Sequence, residues 1–214
     1  MGRKRTIPRK RIRGKQTRFA SPPNNPLWFS ARVLAHTVPR EHFYIQQMSR
    51  FSEKDKLTME YIISVGTNLG NRKENIERCI DAINLLPYTD VIAQSAIYET
   101  EPVGYARQEN FYNIILKVES IFEPNEMLGA CLGIESGFGR QRTVRFGPRI
   151  IDVDIIFAED EKIASRNLLV PHPRYHERRF ILEPLLDLFP DGIVYGTDIK
   201  PFIENLEGQE IIKL

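Results

Sequence analysis

The sequence has little cysteine and no long apolar run. Its two cysteines, Cys79 and Cys131, belong to no C-x-x-C or Cys/His cluster, so neither a zinc site nor a redox dithiol is indicated. Both fall on predicted buried helix faces, where we expect small core residues. No apolar run approaches the roughly 18 residues of a membrane span, and the first residues lack the apolar segment of a secretory signal. We therefore expect a soluble, cytoplasmic protein with no membrane partner.

Common catalytic signatures are also missing. The sequence has no recognisable Ser/His/Asp triad, no G-x-x-x-x-G-K-[ST] phosphate loop and no G-x-G-x-x-G dinucleotide loop. Chemistry that needs a nucleophilic side chain is therefore not indicated. The composition itself is ordinary, with 42% hydrophobic and 27% charged residues in a chain of 214, which is enough for one sizeable core.

Acidic residues are scarce at the start of the chain. Residues 1–58 carry 14 lysines and arginines against only Glu41, Glu53 and Asp55, whereas the remaining residues hold 16 basic and 25 acidic side chains. The first segment is also broken by prolines and has no sustained periodicity. This pattern predicts a basic, disordered extension over 1–58 and a single folded, net acidic domain over 59–214.

Three interpretations of the extension remain open. It could bind nucleic acid or a membrane surface, because blocks of Lys and Arg displace counterions from polyanions. It could be an organelle-targeting segment, although its prolines fit poorly with an amphipathic helix. Alternatively, translation starts at Met59, immediately before the first predicted strand, and the extension is never made. We favour the third interpretation.

Hydrophobic periodicity after Met59 predicts an α+β fold. Apolar, β-rich runs at 61–65, 91–99, 112–119 and 150–158 are typical of strands. One helix is expected after Asn71, a candidate N-cap, and ends before Pro87; another begins at Pro124. The stripe of the second helix should comprise Leu128, Cys131, Leu132 and Glu135. The order β-α-β-β-α-β is ferredoxin-like and predicts an antiparallel sheet with helices on one face, a face open to a ligand, and a C-terminal loop and helix added over 168–188.

Two acids follow a basic loop in the stretch GRQRTVRFGPRIIDVDI, which spans 139–155. Because side chains alternate along a strand, Asp152 and Asp154 should project from one face, about 6.5 to 7 Å apart. Ionised carboxylates this close repel each other unless a cation lies between them. Oxygen ligands without His or Cys favour Mg²⁺ over Zn²⁺. The pair therefore predicts a magnesium site.

The arginines before this pair suggest the second component of the same site. Guanidinium groups bind phosphate oxygens two at a time, so a loop with several of them can close over a polyphosphate. Phosphoryl transfer depends mainly on positioning and charge neutralisation, which fits the lack of a nucleophile. A D-x-D alone is a weak signal, and an arginine run alone is often a solvated loop. In combination they predict a site for a polyphosphate and its metal.

Four motifs in order carry a resemblance to a known family: YIISVGTNLGN, YETEPVG, the arginine stretch ending in D-x-D-I, and VPHPRYHERRF. Over essentially all of 59–191 the chain resembles the 6-hydroxymethyl-7,8-dihydropterin pyrophosphokinases of folate biosynthesis. The resemblance implies a largely monomeric enzyme that uses two Mg²⁺ ions to transfer a diphosphate from ATP to the pterin hydroxymethyl group, releasing AMP. It also makes neighbouring folate-pathway enzymes candidate partners.

The resemblance also implies roles for individual residues. Asp152 and Asp154 match metal ligands, and Arg140 and Arg149 match catalytic arginines. Positions around ATP are matched by Glu135, Arg142, Ile155, His172 and Arg178. Positions of the pterin pocket are matched by Thr100, Val103, Phe111, Asn113 and Phe180, and the aromatic pair could stack on the flat heterocycle.

Some positions depart from the family pattern. Phe146 stands where the family often has Trp, in an arginine loop about one residue shorter. A glutamine, a tyrosine and an arginine of some members are replaced here by Leu132, Pro173 and Asn167. Two other functions remain alternatives: another Mg²⁺-dependent nucleotide phosphotransferase or nucleotide-sugar enzyme, and a nucleic-acid-binding module. The net acidic character of 59–214 argues against nucleic acid as a partner of that domain.

Overall fold

The computed structural model describes residues 58–102, 104, 107–139, 147–159, 161–206 and 208–214. Three predicted site residues, Val103, Arg140 and Arg142, lie outside the described residues, as does the extension up to residue 57. Within the described part of the chain, no helix is long and apolar enough to cross a membrane.

A six-stranded sheet, in which every pairing is antiparallel, forms the centre of the fold. Its strands are β1 (Met59–Thr67), β2 (Thr89–Gln94), β3 (Tyr98–Thr100), β4 (Phe111–Ser120), β5 (Asp152–Ala158) and β10 (Ile211–Lys213). β1 lies between β4 and β5, β3 lies between β4 and β10, and β2 pairs with the other end of β4. Two small two-stranded ladders are formed by β6 (Ile163–Ala164) with β7 (Leu169–Val170) and β8 (Ile193–Val194) with β9 (Thr197–Asp198). The protein is thus a mixed α/β fold with an antiparallel sheet.

The predicted single strand over 91–99 is wrong, because the chain forms two strands there. At the break, the Ser95 hydroxyl accepts a hydrogen bond from the Ile115 N–H (3.0 Å), and the Ala96 N–H donates to the Asp187 carboxylate (2.9 Å). These side-chain partners replace ladder bonds, so β2 and β3 each pair with a different part of β4. The strand predicted over 150–158 is β5, which begins at Asp152, two residues later than predicted.

Two helices cover one face of the sheet. α1 (Arg72–Asn84) has Asn71 as its N-cap, as predicted, and the Asn71 side chain accepts from the Glu74 N–H. At the start of α2 (Pro124–Gly137), the Glu126 carboxylate accepts a hydrogen bond from the Glu123 N–H (2.9 Å), which is one half of a capping box. The stripe predicted for α2 is partly wrong, because Leu132 is 44% exposed, and Met127 is buried beside Cys131 and Glu135 instead.

Helix α3 (Arg179–Leu188) covers part of the opposite face, which was expected to be open. Its Ile181, Leu182 and Leu185 are fully buried against Ile62, Ile115 and Ile156 of the sheet. The short α4 (Lys200–Glu204) adds Phe202 and Ile203 to this second apolar cluster. The sheet therefore has apolar clusters on both faces, and only part of the second face is left for a site.

Candidate functional site

Strand β5 separates core residues from charged ones. Val153 and Ile155 are 4% exposed and pack in the apolar cluster beneath α1 and α2. Asp152 and Asp154 alternate with them and line a cavity with Phe180 of α3. The alternation inferred from sequence therefore places both carboxylates on one face of the sheet. The register pairs them with Gly66 and Ser64 of β1, respectively.

The cavity has a volume of about 120 Å³ and is bordered both by predicted metal- and ATP-binding residues and by predicted pterin-binding residues. It brings together eight of the predicted residues: Thr100, Phe111, Asn113, Arg149, Asp152, Asp154, Arg178 and Phe180. Its other lining residues are Ser64, Gly66, Glu101, Gln108, Gly147 and Arg174. Charged side chains and pterin-pocket candidates, which are distant in sequence, thus face a single space.

Two arginines neutralise the carboxylate pair. Arg149 forms an ion pair with Asp152, and the Arg178 Nη1 atom lies 3.6 Å from the Asp154 Oδ2 atom. In the described residues, no group of three or more His, Cys, Asp and Glu side chains could hold a metal ion. Two carboxylates suit a Mg²⁺ ion that takes its other ligands from phosphate oxygens and water, because Mg²⁺ is usually bound by one or two carboxylates plus substrate phosphates.

Asn68 fixes the backbone of Arg149, a role the sequence reasoning missed. Its N–H donates to the Arg149 carbonyl (3.0 Å), and its Oδ1 accepts from the Arg149 N–H (2.7 Å). Its Nδ2 donates to the Gln108 Oε1 and the Glu109 carbonyl, both at 3.0 Å. Asn68 is 2% exposed. The sequence feature that could have indicated this role is the position of Asn68, a polar residue directly after β1 in the motif YIISVGTNLGN.

Asn113 and Thr100 form the other wall of the cavity. The Asn113 Nδ2 donates to the Thr100 Oγ1 at 2.8 Å, and Asn113 is 4% exposed. This bond fixes the plane of the amide. Gly66 is the register partner of Asn113 on the neighbouring strand β1, and a Cβ atom there would come 3.1 Å from the Asn113 Oδ1. A side chain at Gly66 would therefore press on the Asn113 amide from the adjacent strand.

His172 is held as a neutral imidazole next to this site. The His172 backbone N–H donates to the Ile156 carbonyl (2.8 Å), and the imidazole Nδ1 accepts from the Arg174 backbone N–H (3.1 Å). Burial lowers the pKa of His172 to about 4, and the nearby Arg178 charge adds to the effect. An unprotonated Nδ1 is what the Arg174 N–H requires.

Glu135 and Ile155, which the resemblance relates to ATP, lie on the helix side of β5. Glu135 is 3% exposed and its Oε1 accepts from the Val153 N–H at 2.9 Å. Ile155 is buried in the apolar cluster. The structure thus places both behind the strand that carries the aspartates. Leu132, Asn167 and Pro173, which depart from the family pattern, are all exposed.

Both cysteines are free and buried, as predicted. Cys79 of α1 and Cys131 of α2 belong to the apolar cluster beneath the sheet. Burial raises the pKa of each thiol to about 12, and the Glu135 charge contributes. These thiols are structural residues.

Carboxylates and arginines around one cavity define a class of site, that of proteins which bind a metal–polyphosphate and transfer phosphoryl groups. The comparison with known families agrees. The chain belongs to the 7,8-dihydro-6-hydroxymethylpterin-pyrophosphokinase family, whose model matches residues 62–190.

Relatives include single enzymes and larger proteins. The chain is 38% identical over 126 residues to the 2-amino-4-hydroxy-6-hydroxymethyldihydropteridine pyrophosphokinase of Bacillus subtilis, covering 59% of this chain and 75% of that one. It is 31% identical over 151 residues to the enzyme of the same name from Methylorubrum extorquens, covering 71% and 95%. It is 36% identical to the folic acid synthesis protein fol1 of Schizosaccharomyces pombe, covering 77% of this chain and 22% of that protein. The chain thus spans only a fraction of the larger relatives.

A solved structure shows the same fold. The HPPK-DHPS of Plasmodium falciparum superposes with a TM-score of 0.53 at 15% identity, over 71% of this chain and 46% of that chain. At this identity the likeness concerns the fold alone.

Proposed function

We propose that the chain transfers a diphosphate from ATP to the hydroxymethyl oxygen of 6-hydroxymethyl-7,8-dihydropterin, with AMP as the second product. One observation carries the proposal: in a member of this family, the Asp152–Asp154 pair with its arginines and the Asn113–Thr100 pair with its aromatics line the same cavity. One set suits a metal–triphosphate and the other a flat, polar heterocycle. The two substrates would therefore meet in this space.

Asp152 and Asp154 would hold two Mg²⁺ ions together with the phosphates of ATP. When bound, Mg²⁺ supplies charge neutralisation and a fixed geometry for the phosphate oxygens. To bind Mg²⁺, the two aspartates must release their present arginine partners, at least in part. Arg149 and Arg178 are then placed to donate to phosphate oxygens instead, since guanidinium groups bind phosphate as readily as carboxylate.

Arginines would stabilise the charge that develops on the transferring group. The backbone of Arg149 is anchored by Asn68, and its guanidinium is placed at the site by its ion pair with Asp152. Arg140 and Arg142 are proposed for the same cluster on the resemblance alone. Preorganised donors of this kind lower the barrier because they need little rearrangement during the reaction.

The pterin would lie against Phe111 and Phe180 with its polar edge toward Asn113. The Asn113 amide, whose plane is fixed by Thr100, can offer both an acceptor and a donor to the heterocycle. Val103 completes the proposed pocket. Glu135, Ile155 and His172 would act on ATP indirectly, through β5 and the turn at 172–174.

The finer description of the fold belongs to the same proposal. We propose that β2 and β3 count as two parts of one strand, so that the sheet order and the position of α1 and α2 would be those of a ferredoxin-like arrangement. We propose a monomer whose folded domain covers 59–214. Fusion proteins among the relatives, such as FolKE of Lactococcus lactis, support neighbouring pathway enzymes as partners.

Product analysis tests the proposed function. Incubation with ATP, Mg²⁺ and the reduced hydroxymethylpterin should give AMP and the pterin diphosphate in equal amounts, resolved by anion-exchange chromatography. Omission of the pterin is the control and should give no AMP. Formation of ADP, or AMP that does not depend on the pterin, would contradict the proposal.

A further inference from the structure

The segment 208–214 lies outside the part of the chain that the family model matches, yet it borders the site. Its strand β10 extends the sheet next to β3, and the Lys213 Nζ donates to the Asp187 Oδ1 at 2.6 Å. A second cavity of about 90 Å³ is bordered by Gly208–Ile211 and shares Thr100, Glu101 and Phe180 with the first. The segment therefore forms part of the wall behind the proposed pterin pocket.

Gln209 connects this segment to the start of α3 at two points. The Gln209 Nε2 donates to the Glu177 carbonyl at 3.0 Å, and the Gln209 Oε1 accepts from the Arg179 N–H at 2.9 Å. The Arg179 side chain makes a longer contact in return, because its Nη1 donates to the Gln209 carbonyl at 3.4 Å. One side-chain amide thus holds the backbone on both sides of Arg178.

The contact with Arg179 satisfies a group that the helix itself leaves open. The first N–H groups of a helix have no partner within it. Arg178 is the N-cap of α3 and its side chain makes no cap hydrogen bond. The Gln209 side chain supplies the acceptor in its place, from 30 residues further along the chain.

The backbone held in this way carries two predicted site residues. Arg178 presents its guanidinium to Asp154, and Phe180, in the first turn of α3, lines both cavities. A rotation of this turn would move the cation and the aromatic ring together. We propose that Gln209 is a positioning residue that fixes Arg178 and Phe180 for the two substrates, an inference that rests on the proposed function.

Variants of Gln209 separate positioning from simple anchoring of β10. Gln209→Met has a side chain of similar length but loses both hydrogen bonds, whereas Gln209→Glu keeps an acceptor for the Arg179 N–H and loses the donor. Lys213→Met is the matched control, because it releases β10 from Asp187 without touching the turn. Two net hydrogen bonds correspond to about a 30-fold change in an equilibrium constant, so a loss of about tenfold in activity lies within what their removal can cause. We expect kcat/KM for the pterin to fall about tenfold in Gln209→Met, less in Gln209→Glu, and by less than about twofold in Lys213→Met.

Hydrogen exchange gives a readout that does not depend on turnover. Amides of 177–180 should exchange faster in Gln209→Met than in wild type or Lys213→Met, with global unfolding monitored separately by thermal melts. Unchanged exchange in 177–180, or an equal loss of kcat/KM in Lys213→Met, would overturn the inference. Wild-type protein that makes no AMP would refute the proposed function and with it the catalytic meaning of Gln209. Wild-type turnover with unaffected Gln209 variants would refute the inference alone.

Discussion

The two faces of the sheet have different roles. On the face covered by α1 and α2, a continuous apolar cluster contains residues from β1, β4 and β5. On the other face, α3 covers one part with Ile181, Leu182 and Leu185, and the charged cavity occupies another. The first face is therefore built for stability, while the second divides its area between stability and a site.

Strand β5 contributes side chains to both faces, so the two faces can be compared by substitutions within one strand. Substitutions at Val153 or Ile155 should change the free energy of unfolding, because they create cavities in a close-packed cluster. Substitutions at Asp152 or Asp154 should change chemistry with little effect on stability, because these side chains are partly exposed and their ion pairs contribute little net energy. Neighbouring positions should thus respond in opposite ways.

The largest expected effect is loss of turnover in Asp154→Asn. The amide keeps the shape of the side chain but removes the charge that would hold Mg²⁺, so AMP formation should fall below detection. Steady-state assays with both substrates at saturation measure this, and Asp90→Asn on exposed β2 is the matched control. A near wild-type rate would show that the pair is not the metal site.

Val153→Ala tests the opposite face of the same strand. Truncation of this buried side chain should lower the free energy of unfolding by about 1–3 kcal/mol, measured by urea titration. The kcat of the fraction that stays folded should be changed far less than in Asp154→Asn. A stable but inactive Val153→Ala protein would contradict the division between the faces.

Arg149→Ala should lower kcat by about 10², with a modest effect on nucleotide affinity, as the loss of a transition-state donor does. Single-turnover kinetics and calorimetric titration with a non-hydrolysable ATP analogue separate the two. Arg149→Lys keeps the charge but not the paired donors and should recover only part of the rate. An unchanged kcat in Arg149→Ala would reduce the residue to a structural role.

Asn68→Ala should lower both the stability of the protein and its kcat. It removes one acceptor from the Arg149 N–H and two donations to the 108–109 loop. Loss of such buried bonds costs about 1–3 kcal/mol, visible in urea titration together with a lower kcat. Asn68→Asp keeps the acceptor for Arg149 and should retain more kcat than Asn68→Ala; equal losses would refute the link to Arg149.

The smallest expected effect concerns His172 and pH. Its folded-state pKa, about 4, lies below the ordinary value of 6.5. Above pH 6.5 the imidazole is neutral in both states; as pH falls toward 4, the unfolded state takes up the proton first, so stability is lost. Wild type should therefore lose more stability between pH 7.5 and 5 than His172→Asn, whose side chain can still accept from Arg174. Parallel pH dependence in urea titrations of the two proteins would contradict this.

Much of the architecture followed from local patterns, and the exceptions have long-range causes. Helix α1 and its Asn71 cap, and the alternation along β5, depend on neighbours in sequence and were predicted. The break between β2 and β3 depends on Ile115 and Asp187, which lie far away in the chain. No periodicity within 91–99 could have indicated it.

The site shows the same distinction between local and distant causes. The sequence pattern predicted that Asp152 and Asp154 share a face, and the family resemblance pointed to Asn113 and Thr100. The partners that hold these residues in place were missed, because Asn68 and Gln209 act on backbone groups 81 and 30 residues away. Such contacts form only in the folded chain, and no spacing pattern in the sequence indicates them.

The inert thiols beneath the sheet have a practical consequence. With Cys79 and Cys131 buried and their thiols kept protonated, neither needs to be replaced before labelling. A cysteine introduced at exposed Pro148, beside the arginine stretch, would react selectively with a maleimide dye. Fluorescence from that dye would report the binding of ATP and pterin next to Arg149, in an otherwise unaltered protein.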